Sequence, residues 1–506
     1  MLSRRQFLKA SSLGTAALPL AGCLDRPLPV RAPYASAIPG DQTDLLVNDV
    51  HSQLNATRVH AIVKPATVEE LRAAILGAKA DGRSVCVAGG RHAMGGQQFG
   101  DAAVLVDTRG LNRVLDFDPD HGLVTVEGGI QWPALLEYLD GAQRGRAPQW
   151  GIYQKQTGAD RLSIGGALAC NAHGRGLTLG PIVQQVERFD IVGPDGAVRT
   201  CSRNERPDLF RLAIGGYGLF GIVSRVQLRL RPRVKVRRVV VLEETAHIID
   251  RFEERIREGY LYGDYQFTTD SRRESFLGRG VFSCYQPVAD ETPLTPNPTR
   301  FDPEDWARLT FYSHRYKKRA FNVYSSRYLQ TSGQVYWADS QLSAAYVDGY
   351  HADLDRALAA NVKATEMISE LYVPRPRLAA FMENARAALV RVHANLIYGT
   401  VRLIERDDES VLAWARDRWA CIIFNLHVEH TSDAIERAAD AFRELIDIAI
   451  AEGGSYYLTY HRWARREQVV ACHPRMREFL MAKLRHDPGE VFQSTWYRHY
   501  RRMFAV

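Results

Sequence analysis

The chain has 506 residues, of which 46% are hydrophobic and 24% charged, a composition typical of a globular protein rather than a disordered, collagen-like or coiled-coil one. At ~150 residues per domain the length predicts two to four domains. No run reaches the ~18 consecutive apolar residues of a membrane-spanning helix. The formal charge is +7, but Arg4, Arg5 and Lys9 supply three of those charges and no dense basic tract follows, which argues against a nucleic-acid partner.

The first two dozen residues have the pattern of a signal peptide. Residues 1–10 are basic, and residues 11–20 are small and apolar. The letters SRRQFLK at residues 3–9 resemble the twin-arginine export motif, and LAGC at residues 20–23 resembles a bacterial lipobox. The resemblance implies that residues 1–22 are removed and that Cys23 is lipidated. We therefore expect a protein exported in its folded state and lipid-anchored at the periplasmic face of a bacterial membrane, a route suited to a protein that loads a cofactor beforehand.

The cysteines give no evidence of a metal site or of a disulfide framework. There are seven, and without Cys23 the remaining six are widely spaced, with no C-x-x-C pair. Most lie among apolar neighbours and are interpreted as small core residues. Whether any two form a disulfide stays open.

Regular structure is predicted after a Pro-rich tether at residues 23–50. Thr67 and Glu70 form a capping box before an apolar helical face that ends near residue 81. A buried strand, Ser84–Ala88, then runs into a glycine-rich loop. Further strands are predicted at Val104–Asp107, Val114–Phe117, Leu123–Glu127, Glu187–Val192, Ala197–Cys201 and Phe220–Leu230. Residues 51–233 therefore form a mixed α and β region.

The composition changes at about residue 234. A strand at Val234–Glu244 precedes a helix, a polar Pro-rich stretch near residues 286–304 and several longer helical segments. The last fifty residues are rich in Tyr, His and Arg. The pattern divides the chain into regions at residues 234–455 and 456–506.

Residues 216–221 satisfy the dinucleotide-binding pattern G-x-G-x-x-G in the wrong context. A helix-like segment precedes these glycines and a strand follows. The dinucleotide motif requires a strand, the glycines and then a helix whose N-terminus faces the pyrophosphate. We therefore reject a Rossmann domain here.

Three glycine-rich clusters carry the chemistry of the first region. They lie at residues 88–97 (AGGRHAMGGQ), 163–174 (SIGGALACNAHG) and 208–223. Glycines at a strand end let backbone N–H groups approach a ligand closely and bind phosphate oxygens. In this order the clusters resemble the vanillyl-alcohol-oxidase superfamily, whose members carry a PCMH-type FAD-binding domain. The nearest resemblance is to sugar-oxidising members: alditol and aldonolactone oxidases and decaprenylphosphoryl-ribose oxidase.

The resemblance implies the fold and the cofactor. The fold class is α+β, with a PCMH-type FAD-binding domain of two α/β subdomains at residues 51–233. A substrate-binding cap domain with an antiparallel sheet follows at residues 234–455, and residues 456–506 return to the flavin. The expected FAD-binding residues are Ala88, Gly89, Gly90, Arg91, His92, Ala93, Gln97, Gly165, Gly166, Asn171, His173, Gly174, Gly221, Ile222 and Val223.

Two histidines have particular roles implied by the family. His92 stands where many members join a histidine to the flavin 8α-methyl carbon, although Arg91 and Ala93 replace the usual Gly-His-Ser context. A noncovalent loop ligand and a structural histidine remain alternatives for His92. His173 matches the His-Gly pair beside the flavin, with a histidine satisfied in the core as its alternative.

The substrate half contains fewer recognisable motifs. The strand at residues 400–404 resembles one that carries a substrate-facing arginine in alditol oxidases, so Arg402 is a candidate, but Thr400 replaces a glutamate of that strand. Asn425 and His427 share one face of a neighbouring strand. Although His427 and His430 have a metal-like spacing, it works on a helix and not on a strand, so we expect no metal site.

Two neighbouring residues are the candidates for general base. Tyr460 and His461 lie in the segment that meets the flavin in relatives, and oxidation of an alcohol requires removal of the hydroxyl proton. Arg402 near the flavin would stabilise negative charge on the reduced ring. Each of these residues has a purely structural role as its alternative.

These observations predict an FAD-dependent oxidoreductase that oxidises a hydroxyl of a sugar, polyol or related alcohol. The substrate carbon would give a hydride to flavin N5, and oxygen, a quinone or a redox protein would take the electrons. An aldonolactone oxidase or dehydrogenase is the closest alternative. A flavoprotein that only carries electrons is an alternative of a different class, and a binding lipoprotein without FAD conflicts with the intact glycine motifs.

Overall fold

The computed structural model describes residues 45–342 and 349–506. The signal peptide at residues 1–22, the lipidation site Cys23 and most of the expected tether lie outside the described residues. The described residues include the end of that tether, where the strand Leu46–Val47 pairs with Thr57–Arg58. None of the helices in the described ranges is long and apolar enough to cross a bilayer.

Strands and helices both occur along the whole described chain. The strands are β1 Leu46–Val47, β2 Thr57–Arg58, β3 Ala61–Val63, β4 Val85–Ala88, β5 Val104–Asp107, β6 Val114–Asp118, β7 Leu123–Glu127, β8 Trp150–Gly151, β9 Val186–Val192, β10 Val198–Ser202, β11 Ile222–Arg229, β12 Arg231–Pro232, β13 Lys235–Glu244, β14 Tyr262–Phe267, β15 Arg279–Pro287, β16 Val335–Trp337, β17 Ala364–Pro374, β18 Leu396–Ile404, β19 Trp419–Glu429 and β20 Ser455–Tyr456. The helices are α1 Val68–Ala80, α2 Trp132–Ala142, α3 Ile164–Ala169, α4 Pro207–Ala213, α5 Ile248–Arg257, α6 Pro303–Arg315, α7 Lys317–Gln330, α8 His351–Leu358, α9 Leu378–Arg391, α10 Ser432–Ala451, α11 Arg466–Cys472, α12 Met476–His486 and α13 Thr495–Phe504.

Two small sheets form the first half. A parallel three-stranded sheet, β3-β5-β4, packs its apolar residues against α1, and a five-stranded antiparallel sheet follows in the order β10-β9-β11-β7-β6. The predicted capping box is half formed. Thr67 Oγ1 accepts from the Glu70 N–H at 3.1 Å, but the Glu70 carboxylate accepts from the Ala66 N–H instead of that of Thr67. α4 precedes the glycines at residues 215–221 and β11 follows them, which is the order that argued against a Rossmann domain.

An eight-stranded antiparallel sheet forms the second half, in the order β16-β13-β15-β14-β18-β19-β17-β20. In β17 Glu366 and Glu370 are four residues apart, and because every second residue of a strand faces the same side, both carboxylates lie on one face. α10 packs against β17 and β19 with an apolar stripe that includes Phe442 and Leu445. The predicted α+β class, with an antiparallel sheet in the second half, is confirmed.

The C-terminal segment returns to the first half of the chain. The Gln97 side-chain amide donates to the carbonyl oxygens of Leu458 and Thr459 at 2.8 and 3.0 Å. Further on, the Val85 N–H donates to the Val491 carbonyl, and the Val85 carbonyl accepts from the Gln493 N–H. Residues 456–506 are therefore fixed to both the glycine loop and the strand that leads into it.

Candidate functional site

One large cavity lies where the two halves and the C-terminal segment meet. Its volume of about 980 Å³ is at the upper end of the ~300–1,000 Å³ range of ligand pockets. The first half contributes the loops at residues 89–93, 156–166 and 218–223, and the second half contributes β17, β18 and β19. Residues 457–460 close it from the C-terminal segment. All parts of the described chain thus contribute to one site.

Glycine backbone forms part of the cavity wall in the first half of the chain, at positions where a side chain would not fit. A Cβ atom at Gly90 would lie 2.2 Å from the Arg161 carbonyl oxygen. Gly221 has φ +141°, and a Cβ there would lie 2.6 Å from the Val192 carbonyl oxygen. Glycine is therefore required at both positions, and the chain backbone itself can face a large cofactor.

Most of the residues expected to bind FAD line the cavity. They are Gly89, Gly90, Arg91, His92, Ala93, Gln97, Gly165, Gly166, His173, Gly221, Ile222 and Val223. Ala88, Asn171 and Gly174 do not line it. The buried Asn171 side chain instead donates to Asp407 and accepts from the Val183 N–H, so its role is to hold the loop.

His92 has a partner that the sequence did not reveal. Its Nδ1 lies 2.9 Å from Nε2 of His51, which lies in the irregular segment between β1 and β2. Burial lowers the pKa of His92 to about 4, with the positive Arg161 and Lys155 acting in the same direction. Burial also lowers the pKa of His51 well below its ordinary value, with His92 adding to the effect. Both rings are therefore neutral at neutral pH.

Glu370 is the centre of the polar network on the opposite wall. Its Oε1 lies 2.6 Å from His173 Nε2, and accepts from the Tyr372 hydroxyl at 2.6 Å and the Cys421 thiol at 3.1 Å. Its Oε2 accepts from the Tyr460 hydroxyl at 3.2 Å. Burial alone would raise the pKa of Glu370, but the neighbouring His173 and these donors lower it to about 2. The carboxylate is therefore ionised in the resting protein.

The structure separates the two candidates for general base. Tyr460 lines the cavity and contacts Glu370. His461 points the other way: its ring stacks on Phe442 and Trp463, and its Nε2 lies 3.0 Å from the Ser369 hydroxyl. Residues 458–460 lie in a turn after β20, so the two neighbouring side chains face different surroundings. The prediction for His461 is therefore corrected to a packing role, and Tyr460 is retained.

The eight-stranded sheet of the second half, here called the cap sheet, supplies further polar groups to the cavity. Arg402 and Asn425 both line the cavity, and within the described ranges Arg402 Nε and Asn425 Oδ1 have no hydrogen-bond partner. His427 does not line it; its Nδ1 lies 3.6 Å from Glu366. Buried polar atoms without partners are costly, so Arg402 and Asn425 indicate a ligand that supplies the missing bonds.

The loop at residues 156–166, in the first half of the chain, also contains buried polar atoms without hydrogen-bond partners in the described part of the chain. Gln156 Oε1 and Thr157 Oγ1 are buried at the cavity and have no hydrogen-bond partner among the described residues. A backbone-lined cradle with unpartnered polar atoms fits a large polar cofactor. A family model described as an FAD binding domain matches residues 59–202. The chain carries a PCMH-type FAD-binding domain.

The relatives of this flavoprotein are oxidoreductases. An L-gulono-1,4-lactone dehydrogenase of Mycobacterium tuberculosis is 26% identical over 469 residues, 87% of this chain and 95% of the relative. A D-arabinono-1,4-lactone oxidase of Yarrowia lipolytica is 32% identical over 200 residues, 38% of this chain and 35% of the relative. Cytokinin dehydrogenase 4 of Oryza sativa subsp. japonica is 26% identical over 261 residues, 48% of this chain and 44% of the relative. The chain is an FAD-dependent oxidoreductase with a small-molecule substrate and an electron acceptor, as its sequence predicted.

Proposed function

We propose that this flavoprotein oxidises a hydroxyl group of a sugar, a polyol or a related alcohol, a class that includes aldonolactones. The observation that carries the proposal is the Glu370 network beside Arg402 and Asn425, in the cavity that also holds the FAD loops. A polyhydroxylated substrate would supply hydrogen bonds to the polar atoms that lack them there. When bound, FAD supplies the hydride acceptor for the substrate carbon.

The protein's part in this reaction is to take the hydroxyl proton. Burial raises the pKa of the Tyr460 phenol well above its ordinary value, with the negative Glu370 acting in the same direction, so Tyr460 is neutral. Its hydroxyl donates to Glu370 Oε2. As the substrate hydroxyl gives its proton to the Tyr460 oxygen, Tyr460 passes its own proton to Glu370. The pair thus acts as one proton acceptor.

Arg402 has the complementary role. Its guanidinium is buried in the cavity wall on β18, beside the strand that carries Asn425. A fixed positive charge there stabilises negative charge that develops during oxidation. Arg402 also presents several donors to substrate oxygens.

Aldonolactones are the first substrates to test. The relative that is aligned over 95% of its length is named a lactone dehydrogenase. Thr400 also stands where the alditol oxidase strand has a glutamate. In the structure Thr400 is buried and its hydroxyl donates to the Tyr265 carbonyl. The strand therefore lacks the carboxylate that a glutamate would offer to a polyol at this position.

Anaerobic mixing with alcohols distinguishes the enzyme from an electron carrier. We expect an aldonolactone or a polyol to bleach the flavin absorbance of the purified protein without oxygen, since the substrate itself provides the hydride. The measurement is an anaerobic spectrum after each of a panel of lactones, alditols and sugars. A flavin that no alcohol bleaches, but that a reduced redox protein does, would instead establish the carrier.

We further propose that FAD is joined covalently to His92. The neutral imidazole has a lone pair available for bonding, and His51 fixes the orientation of the ring. The experiment is flavin fluorescence on a denaturing gel for wild type, His92→Ala, His51→Ala and the exposed control His121→Ala. We expect fluorescence in wild type and His121→Ala, none in His92→Ala, and slower attachment in His51→Ala.

The pH dependence of attachment is part of the same prediction. A histidine with a pKa of about 4 is already neutral, so the rate of attachment to FAD-free protein should not change between about pH 6 and pH 8. A rate that rises steeply in this range would mean that His92 titrates there. If denaturation releases the flavin from the wild type, the protein binds FAD without a covalent bond, and the proposal for His92 is wrong.

Export and lipid anchoring are proposed from residues 1–23. The twin-arginine and lipobox patterns support them, and the electron acceptor would then be oxygen, a quinone or a redox protein at the membrane. We expect Cys23→Ala to release active protein from the membrane fraction. The double variant Arg4→Lys/Arg5→Lys should leave the protein in the cytoplasm, as measured by cell fractionation. Membrane attachment that survives Cys23→Ala would contradict the anchor.

A further inference from the structure

A second carboxylate, Glu366, lies four residues from Glu370 on the same face of β17 and is surrounded by histidines. His314 Nε2 lies 2.9 Å from its Oε1, and His427 Nδ1 lies 3.6 Å from the same atom. His351 Nδ1 lies 2.8 Å from Oε2. These residues come from α6, β17, the N-terminus of α8 and β19. Glu366 and His427 are directly paired across neighbouring strands.

Hydrogen bonding satisfies only part of this cluster. The Tyr350 hydroxyl donates to Glu366 Oε2, and His314 Nε2 lies within hydrogen-bond distance of Oε1. His314 Nδ1 lies 2.8 Å from the Thr310 carbonyl oxygen and must carry a hydrogen to donate to it. In the neutral ring, Nε2 is then a lone pair that faces a carboxylate oxygen. His427 Nδ1 has no hydrogen-bond partner among the described residues, and the 2.8 Å contact of His351 Nδ1 with Glu366 Oε2 lacks the geometry of a hydrogen bond. The side chains are 16% exposed or less, so water does not substitute freely.

A metal ion held by His314 Nε2, His427 Nδ1 and a Glu366 oxygen would satisfy these three groups at once. Donor atoms on a tetrahedral ion with bonds of ~2.1 Å lie about 3.4 Å apart, and the 2.9 and 3.6 Å separations bracket that value. The second nitrogen of a metal-binding histidine usually donates to a carbonyl or carboxylate, as His314 does to Thr310. Two imidazoles and a carboxylate are a donor set for zinc or another first-row divalent ion.

We propose that His314, Glu366 and His427 bind a divalent transition-metal ion, with zinc as the best match, in the wall of the substrate cavity. Glu366, His314 and His351 line that cavity. The ion would therefore keep an open position toward it, available to an oxygen atom of water or substrate. This site differs from the His427–His430 pair considered in the sequence, because His430 lies against the Thr365 hydroxyl instead. The inference does not depend on the proposed reaction.

Metal content of the intact flavoprotein tests the proposal. The variants are His314→Gln and Glu366→Gln, and His430→Gln is the matched control, a histidine of the same segment outside the cluster. The protein is purified without a metal-affinity column, dialysed against buffer containing zinc and then dialysed against metal-free buffer. Elemental analysis should then give about one zinc per chain in wild type and control, and under about a tenth in both variants. Flavin content and circular dichroism should be equal in all four proteins.

Two results would overturn the proposal. One is a wild type that retains no zinc and gives no binding isotherm with zinc, nickel or cobalt, which would leave an imidazolium–carboxylate ion pair as the explanation. The other is equal zinc in all four proteins. If the variants fail to fold, anomalous diffraction at the zinc edge from wild-type crystals decides: a peak between His314 Nε2 and Glu366 supports the site, and no peak there refutes it.

Discussion

The structure depends on a buried negative charge at the point where its parts meet. The Glu370 side chain is 1% exposed, and an ionised carboxylate so far from water is stable only when several donors hold it. Those donors come from different segments: His173 from the first half, Cys421 from the cap sheet and Tyr460 from the C-terminal segment. The halves must therefore be assembled before the charge is stabilised, and the same assembly forms the cavity.

This arrangement links the fold to the chemistry. β17 places Glu366, Ile368 and Glu370 in a row along the cavity, because every second residue of a strand has the same orientation. One carboxylate accepts a hydrogen bond from the Tyr460 phenol, which we propose takes the substrate proton, and the other is surrounded by imidazoles. The glycine loops contribute the opposite wall, where backbone approaches the cofactor. Catalytic and cofactor groups are thus carried by strands and by tightly constrained loops.

Sequence reasoning recovered what is local and missed what is distant. The glycine clusters, the strands near them and the helix after Thr67 follow from short patterns, and the FAD-binding domain followed from their order. Glu370 was missed because nothing in an apolar strand marks a partner 197 residues away. His51 was missed because it lies in an irregular segment ahead of the motif. Tyr460 and His461 were equally good candidates until the direction of each side chain was known.

The central claim is that Glu370 takes the proton through Tyr460, and the rate of flavin reduction tests it most directly. The measurement is anaerobic rapid mixing of Glu370→Gln, with an alcohol that bleaches the wild type, beside Tyr372→Phe, which removes a different donor to the same carboxylate outside the cavity. The account predicts a loss of at least ~100-fold in the reduction rate for Glu370→Gln at unchanged flavin content, and a much smaller change for Tyr372→Phe. A Glu370→Gln protein reduced as fast as the wild type would contradict it.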